Sequence, residues 1–145
     1  MNKERFFKFG WGWIALTMAL ALHVTDEALT NFLSVYNPTV LAIRRRVTFL
    51  PLPTFTFRIW LTGLALGIIL LLALSPFAFR ETRWIIFAAY AFGFFMIANA
   101  LQHIAGSIYM GRLMPGVYSS PLLLACSIYL LLSVRYRMRV LEGRV

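Results

Sequence analysis

Between Ile59 and Phe79 the chain runs for roughly 20 residues without a charged side chain. A run of that length matches the roughly 30 Å hydrocarbon core of a bilayer. Lipid offers no partners to backbone N–H and C=O groups, so a single segment that crosses it must be a helix. Composition extends this constraint to the whole chain: 61% of the 145 residues are hydrophobic, against the roughly 45–50% usual for soluble domains. The mean hydropathy is +0.77. One small domain cannot hide that much apolar surface in a core of its own, so lipid must cover most of it. The formal charge of +9 does not indicate nucleic acid, because the Lys and Arg residues cap apolar runs instead of sharing one solvated face. Membrane lipids are therefore the expected partners, with no nucleic acid.

Residues 1–145 read as a single all-α membrane domain, a four-helix bundle with spans at about 6–35, 58–79, 84–110 and 117–134. The first span begins among Lys3, Arg5 and Lys8 and carries His23, Asp26 and Glu27 near its far end. The same opening can be read as a secretory signal peptide with Ala19-Leu20-Ala21 as its cleavage site; that reading would strand His23 at a new terminus. Asn37-Pro38 is expected to end the first helix, since the residue before proline is pushed out of the α region. Val40, Ile43, Val47 and Leu50 then recur at helical spacing among Arg44, Arg45 and Arg46. This pattern fits either a short interfacial helix with its arginines toward phosphates or a solvated basic loop. Ser75-Pro76 closes the second span, and Gly63 and Gly67 would let another helix approach it closely. Gly106 is expected to leave room beside His103, and Cys126, alone in its span, reads as a small apolar residue.

Nine of the Lys and Arg residues fall on the side of the termini and the Arg80–Arg83 loop, against five on the other side. Both termini are thus expected in the cytoplasm, with the chain in the cytoplasmic membrane. Trp11, Trp13 and Trp84 would form the inner aromatic belt and Trp60 the outer one.

Five polar residues stand out within the apolar runs: His23, Asp26 and Glu27 on the first span, Asn99 and His103 on the third. His23 and Glu27 are four apart, as are Asn99 and His103, so each pair shares one helix face. At about 1.5 Å per residue, Phe6 to His23 rises some 26 Å and Trp84 to His103 some 28 Å, which puts both histidines at one depth. Turning such groups to lipid costs about 2.5–3.5 kcal/mol for an aspartate at midspan, so they are expected to face inward and meet in one pocket. Arg112 is placed to anchor its loop at the headgroups or to serve as counter-ion to Asp26 or Glu27. Tyr118, Ser119 and Ser120 lie at the same end and are candidates to line the pocket, with helix capping the favoured role of the serines.

Two chemistries suit the cluster. His23, Glu27 and His103 can ligate a divalent metal such as zinc, leaving a fourth position for water. Alternatively, Glu27 and a histidine act as general base and acid while Asn99 polarises a substrate carbonyl or hydroxyl. Specific hydrolase, phosphate-loop and zinc-finger patterns are absent from the sequence.

His23-Val-Thr-Asp26-Glu27, then Asn99-Ala-Leu-Gln-His103, then Pro115-Gly116 ahead of the last span, resembles the HXXEE family of small bacterial integral membrane proteins. The likeness covers nearly the whole chain and implies a multi-helix membrane domain with those motifs at its centre. Asp26 stands where the name-giving pattern has a glutamate and is shorter by a methylene, while Glu27 matches. By looser analogy, four-helix sterol isomerases of the EXPERA type also set acidic residues and histidine in a lipid-accessible bundle. The resulting expectation is an enzyme acting on a lipid-like or apolar small molecule, with His23, Asp26, Glu27, Asn99 and His103 as its site. Its rivals are a proton or cation transporter, which with so few spans requires a homo-oligomer, and a non-catalytic scaffold.

Overall fold

The structure is a computed structural model that describes residues 3–141, with side chains for residues 9–139. The charges of Lys3, Arg5, Lys8 and Arg144, which entered the orientation argument, lie outside the described side chains. Six helices follow one another: α1 (Lys3–Leu29), α2 (Leu33–Arg46), α3 (Phe57–Ala73), α4 (Ser75–Phe79), α5 (Arg83–Met110) and α6 (Ser120–Leu141). No strand occurs among the described residues.

Three stretches are long and apolar enough to cross a membrane: Phe57–Phe79, which joins α3 to α4, Arg83–Met110, and Ser120–Arg139. α1 is long enough as well, but His23, Asp26 and Glu27 dilute its apolar character. It packs against α6, α4 and α3 and touches α5. Phe9, Trp13, Leu16 and Ala19 recur at three- and four-residue spacing along α1. They bury one stripe against Ile85, Ile86 and Ala89 of α5 and Leu123, Leu130 and Val134 of α6.

Close approaches occur where a side chain is missing. A Cβ on Gly12 would lie 3.5 Å from the backbone of Leu130, and one on Gly93 would lie 2.7 Å from the Leu131 side chain. Gly63 and Gly67 are not used this way, since nothing lies within 4 Å of either Cβ position. Their face of α3 is open.

The first helix ends earlier than Asn37-Pro38. Asn31 adopts the left-handed conformation (φ 59°), which asparagine tolerates better than most residues. The Phe32 N–H then reaches back 2.9 Å to the Glu27 carbonyl, the six-to-one bond of a Schellman cap. Pro38 instead lies inside α2, where its missing N–H removes a single helical bond. The side chain of Asn37 clamps the loop beyond α2: its Nδ2 donates to the Phe55 carbonyl at 2.9 Å and its Oδ1 accepts from the Phe55 N–H at 3.1 Å. Arg44, Arg45 and Arg46 are exposed in the last turn of α2.

Ser75-Pro76 bends the second span instead of ending it. Pro76 has no N–H for the Leu72 carbonyl, and the Ser75 hydroxyl donates to that carbonyl in its place. The neighbouring Leu71 carbonyl accepts from Trp13 Nε1 at 2.8 Å. Trp13 is therefore a core residue, 1% exposed, and not part of an aromatic belt. Trp60 is likewise buried, against Phe32 and Phe57. Trp11 and Trp84 remain half exposed, and Cys126 packs beside the core as a small apolar residue.

Candidate functional site

α1 and α5 bring His23, Glu27 and His103 to one point. Glu27 Oε1 lies 3.7 Å from His23 Nε2 and 3.1 Å from His103 Nε2. One ligand atom from each residue falls within 4.8 Å of the other two. The imidazole rings sit 4.8 Å apart at 73° to one another, so the equal depth expected from the sequence is met by direct contact. All three side chains are closed off, at 0% exposure for His23, 5% for Glu27 and 3% for His103.

Local structure explains the closure. The Schellman turn that stops α1 fixes Phe32 just past Glu27, and its ring lies 5.6 Å from that of His103. α5 ends in a second such cap: Gly111 takes φ 60° and the Arg112 N–H bonds to the Ser107 carbonyl. The Ser107 hydroxyl donates to the His103 carbonyl at 2.8 Å and accepts from the Met114 N–H at 2.9 Å, which draws the following loop over the histidine. Met114 fills the space beside Gly106, 3.6 Å from its Cβ position. Gly116, at φ +83°, then lies on the cluster: a Cβ there would be 3.0 Å from both the Glu27 Cγ and the His103 Cε1. Only glycine meets both conditions without strain.

Asp26 is not in the cluster but holds it. Its Oδ2 accepts from the Ser119 N–H at 2.9 Å and from the Ser119 hydroxyl at 2.8 Å. That carboxylate therefore occupies the N-terminus of α6, where unpaired N–H groups and the helix dipole favour negative charge. Ser119 Oγ is also 2.8 Å from His23 Nδ1 and 3.2 Å from the Gly116 carbonyl. A carboxylate and a carbonyl can only accept, so the hydroxyl proton belongs to one of them and the serine oxygen accepts from His23 Nδ1–H. With Nδ1 engaged by Ser119, Nε2 is the His23 nitrogen that faces Glu27.

The consequence is a close group of three buried side chains with one ligand atom each. Both Nε2 atoms are buried without a hydrogen-bond partner, and both face a carboxylate oxygen. Among the described residues no Lys or Arg pairs with Glu27 or Asp26. Arg112, one expected counter-ion, is exposed. Tyr118 is also exposed and does not line the cluster.

Asn99 falls elsewhere. It is half buried, accepts from Gln102 Nε2 at 2.8 Å, and lines a shallow outward groove with Phe95, Met96, Ala98 and Gln102. Among the described residues no hydrogen bond joins it to the histidines. Sequence reasoning favours a capping role for Ser119 over the pocket contact it makes, and gives Gly116 no place in the site. The Pro115-Gly116 and Ser119-Ser120 pairs were visible, but nothing in their spacing shows that they fold back onto α1.

A family model described as "Protein of unknown function with HXXEE motif" matches residues 13–130. No curated protein and no solved structure matches the chain.

Proposed function

This chain belongs to the HXXEE family, and from that premise we propose that the motif histidine and its final acid form, with His103, a divalent-metal site inside a membrane bundle. The carrying observation is the pair of buried, unpartnered Nε2 atoms that face one carboxylate oxygen. A tetrahedral zinc with bonds of 2.0–2.2 Å sets its ligand atoms about 3.3–3.6 Å apart. The two separations from Glu27, 3.1 and 3.7 Å, bracket that range, and the three ligand atoms lie within 4.8 Å of one another. The donor set of two imidazoles and a carboxylate suits zinc, and the cation would neutralise a carboxylate that no arginine or lysine among the described residues compensates. Asp26 through Ser119 supplies the outer support that metal-bound histidines commonly have.

A metal held there supplies Lewis-acid polarisation of a carbonyl or phosphoryl group. This chain's own part is to keep His23 in one tautomer, exclude water with Phe32 and the Gly116 loop, and present the cluster within the bundle. The substrate class this favours is a lipid-like or apolar small molecule, since the surrounding surface is apolar. α1 would be a fourth span, because it packs against the helices of all three apolar stretches. We place the protein in the cytoplasmic membrane with both termini inside, following the Lys and Arg distribution.

A second reading has one observation in its favour. The 3.1 Å between His103 Nε2 and Glu27 Oε1 is also the distance of an ion pair sharing a proton, which suits acid–base chemistry or proton binding. Elemental analysis of protein purified in mild detergent separates the two. The metal reading expects about one zinc or similar ion per chain, lost in Glu27→Gln and His103→Ala. A protein that carries no metal and gains no thermal stability from added zinc, manganese or iron(II) would exclude it. Turnover screened on lipid extracts then tests the enzyme reading, with Glu27→Gln as the inactive control.

A further inference from the structure

The exposed face of α5 carries something a lipid-facing surface should not. Asn99 and Gln102 lie about 24 and 28 Å along the helix from Arg83, within the roughly 30 Å of hydrocarbon, on a segment long and apolar enough to span. Gln102 is exposed and Asn99 half buried, and both line the same outward groove. One hydrogen bond joins them, from Gln102 Nε2 to Asn99 Oδ1. Among the described residues nothing else bonds Asn99 Nδ2 or Gln102 Oε1, one a donor and the other an acceptor. Acyl chains can satisfy neither.

We infer that this face is a dimer interface, covered by α5 of a second copy of the same chain. The leftover donor and acceptor are complements of each other, so the surface is complementary to itself, as a two-fold contact requires. A lipid tail has nothing to offer the amides. Ala91, Ala98 and Ala105 repeat at seven-residue spacing on the same exposed stripe, which allows two backbones to approach while Phe94 and Phe95 pack alongside. α3 presents no comparable face: beside the open Gly63 and Gly67 the exposed Thr62 offers a single hydroxyl and no pair of amides. The inference does not depend on metal at the buried cluster.

The full chain, reconstituted in lipid nanodiscs and bicelles across a range of protein-to-lipid ratios, provides the test. Mass by light scattering should show a dimer whose dissociation constant rises at least about tenfold in Asn99→Leu/Gln102→Leu. Gln102→Leu alone should leave metal content unchanged, which separates this proposal from the site reading. Because leucines could alter folding, a second measurement uses single cysteines in a Cys126→Ser background. Oxidation should cross-link Ala98→Cys to dimer and leave Gly63→Cys monomeric. A wild-type monomer at every ratio would overturn the inference, as would equal cross-linking at both positions. So would a dimer indifferent to the loss of both amides, or a polar lipid co-purifying on a monomer.

Discussion

Ser119→Ala isolates the link between the two halves of the motif. The hydroxyl accepts from His23 Nδ1–H and donates to Asp26 Oδ2, each over 2.8 Å. Its removal leaves an imidazole N–H at 0% exposure without an acceptor, which costs about 1–3 kcal/mol. Asp26 keeps the Ser119 backbone N–H at 2.9 Å, so its loss is partial. Since both bonds use one hydroxyl, the two effects do not add in full, and the expected destabilisation is about 2–3 kcal/mol. The freed His23 can also turn or change tautomer, and loss of such an outer partner weakens metal binding by about 10–100-fold. Thermal unfolding in detergent reads the first effect, and competition with a chelator of known zinc affinity reads the second. Ser119→Thr retains the hydroxyl and should recover most of both. A double-mutant cycle with Asp26→Ala should show coupling of at least about 1 kcal/mol. Zinc affinity within twofold of wild type in Ser119→Ala, or strictly additive single effects, would refute the idea that Asp26 acts through Ser119.

Three further outcomes follow from the same geometry. Gly116→Ala should cost about 2 kcal/mol or more, combining an unfavourable left-handed conformation with contacts of 3.0 Å to Glu27 and His103; the melting temperature with and without zinc measures it, and an unchanged value would mean that the loop does not press on the cluster. At the other end of the bundle Glu81 pairs with Arg137, burial pushes the Glu81 carboxyl above the usual carboxylate range, and the arginine opposes that shift. A raised folded pKa means the folded state holds the proton more tightly, so Arg137→Met should lose stability as pH rises from the ordinary carboxylate range through the raised value; at neutral pH the loss is about 2–3 kcal/mol, below that of a fully buried pair because the Arg137 side chain is 24% exposed. Stability of this variant that is flat from pH 4 to 8 would contradict the burial argument. Stripping metal with a chelator should lower the melting temperature of the wild type but not of Glu27→Gln, because a bound ion stabilises only the chain that holds it; equal shifts in both would place the ion elsewhere.

Much of the site was legible because charge in hydrocarbon is costly wherever the chain goes. His23, Glu27 and His103 were recognisable from their setting, and their common depth followed from helical rise. The ends of the helices were less so. Pro38 looked like a break, yet the chain had already turned at Asn31, whose left-handed conformation bonds the Phe32 N–H to the Glu27 carbonyl. Trp13 and Trp60 looked like belt residues because composition cannot say which side of a helix faces lipid. Asn99, spaced like a partner of His103, instead turns to Gln102, because at four residues' separation the two share a face but not a neighbour.

From its sequence alone this protein was bound to be helical and embedded in lipid, since the length and polarity of each run are local properties that the bilayer reads directly. The cluster's composition was nearly determined on the same ground. Which acceptors face one another, which serine sets the tautomer of His23 and which glycine closes over Glu27 were decided only when α1, α5 and the loop before α6 came together. Those contacts join residues more than seventy positions apart, and no periodicity within a single helix encodes them.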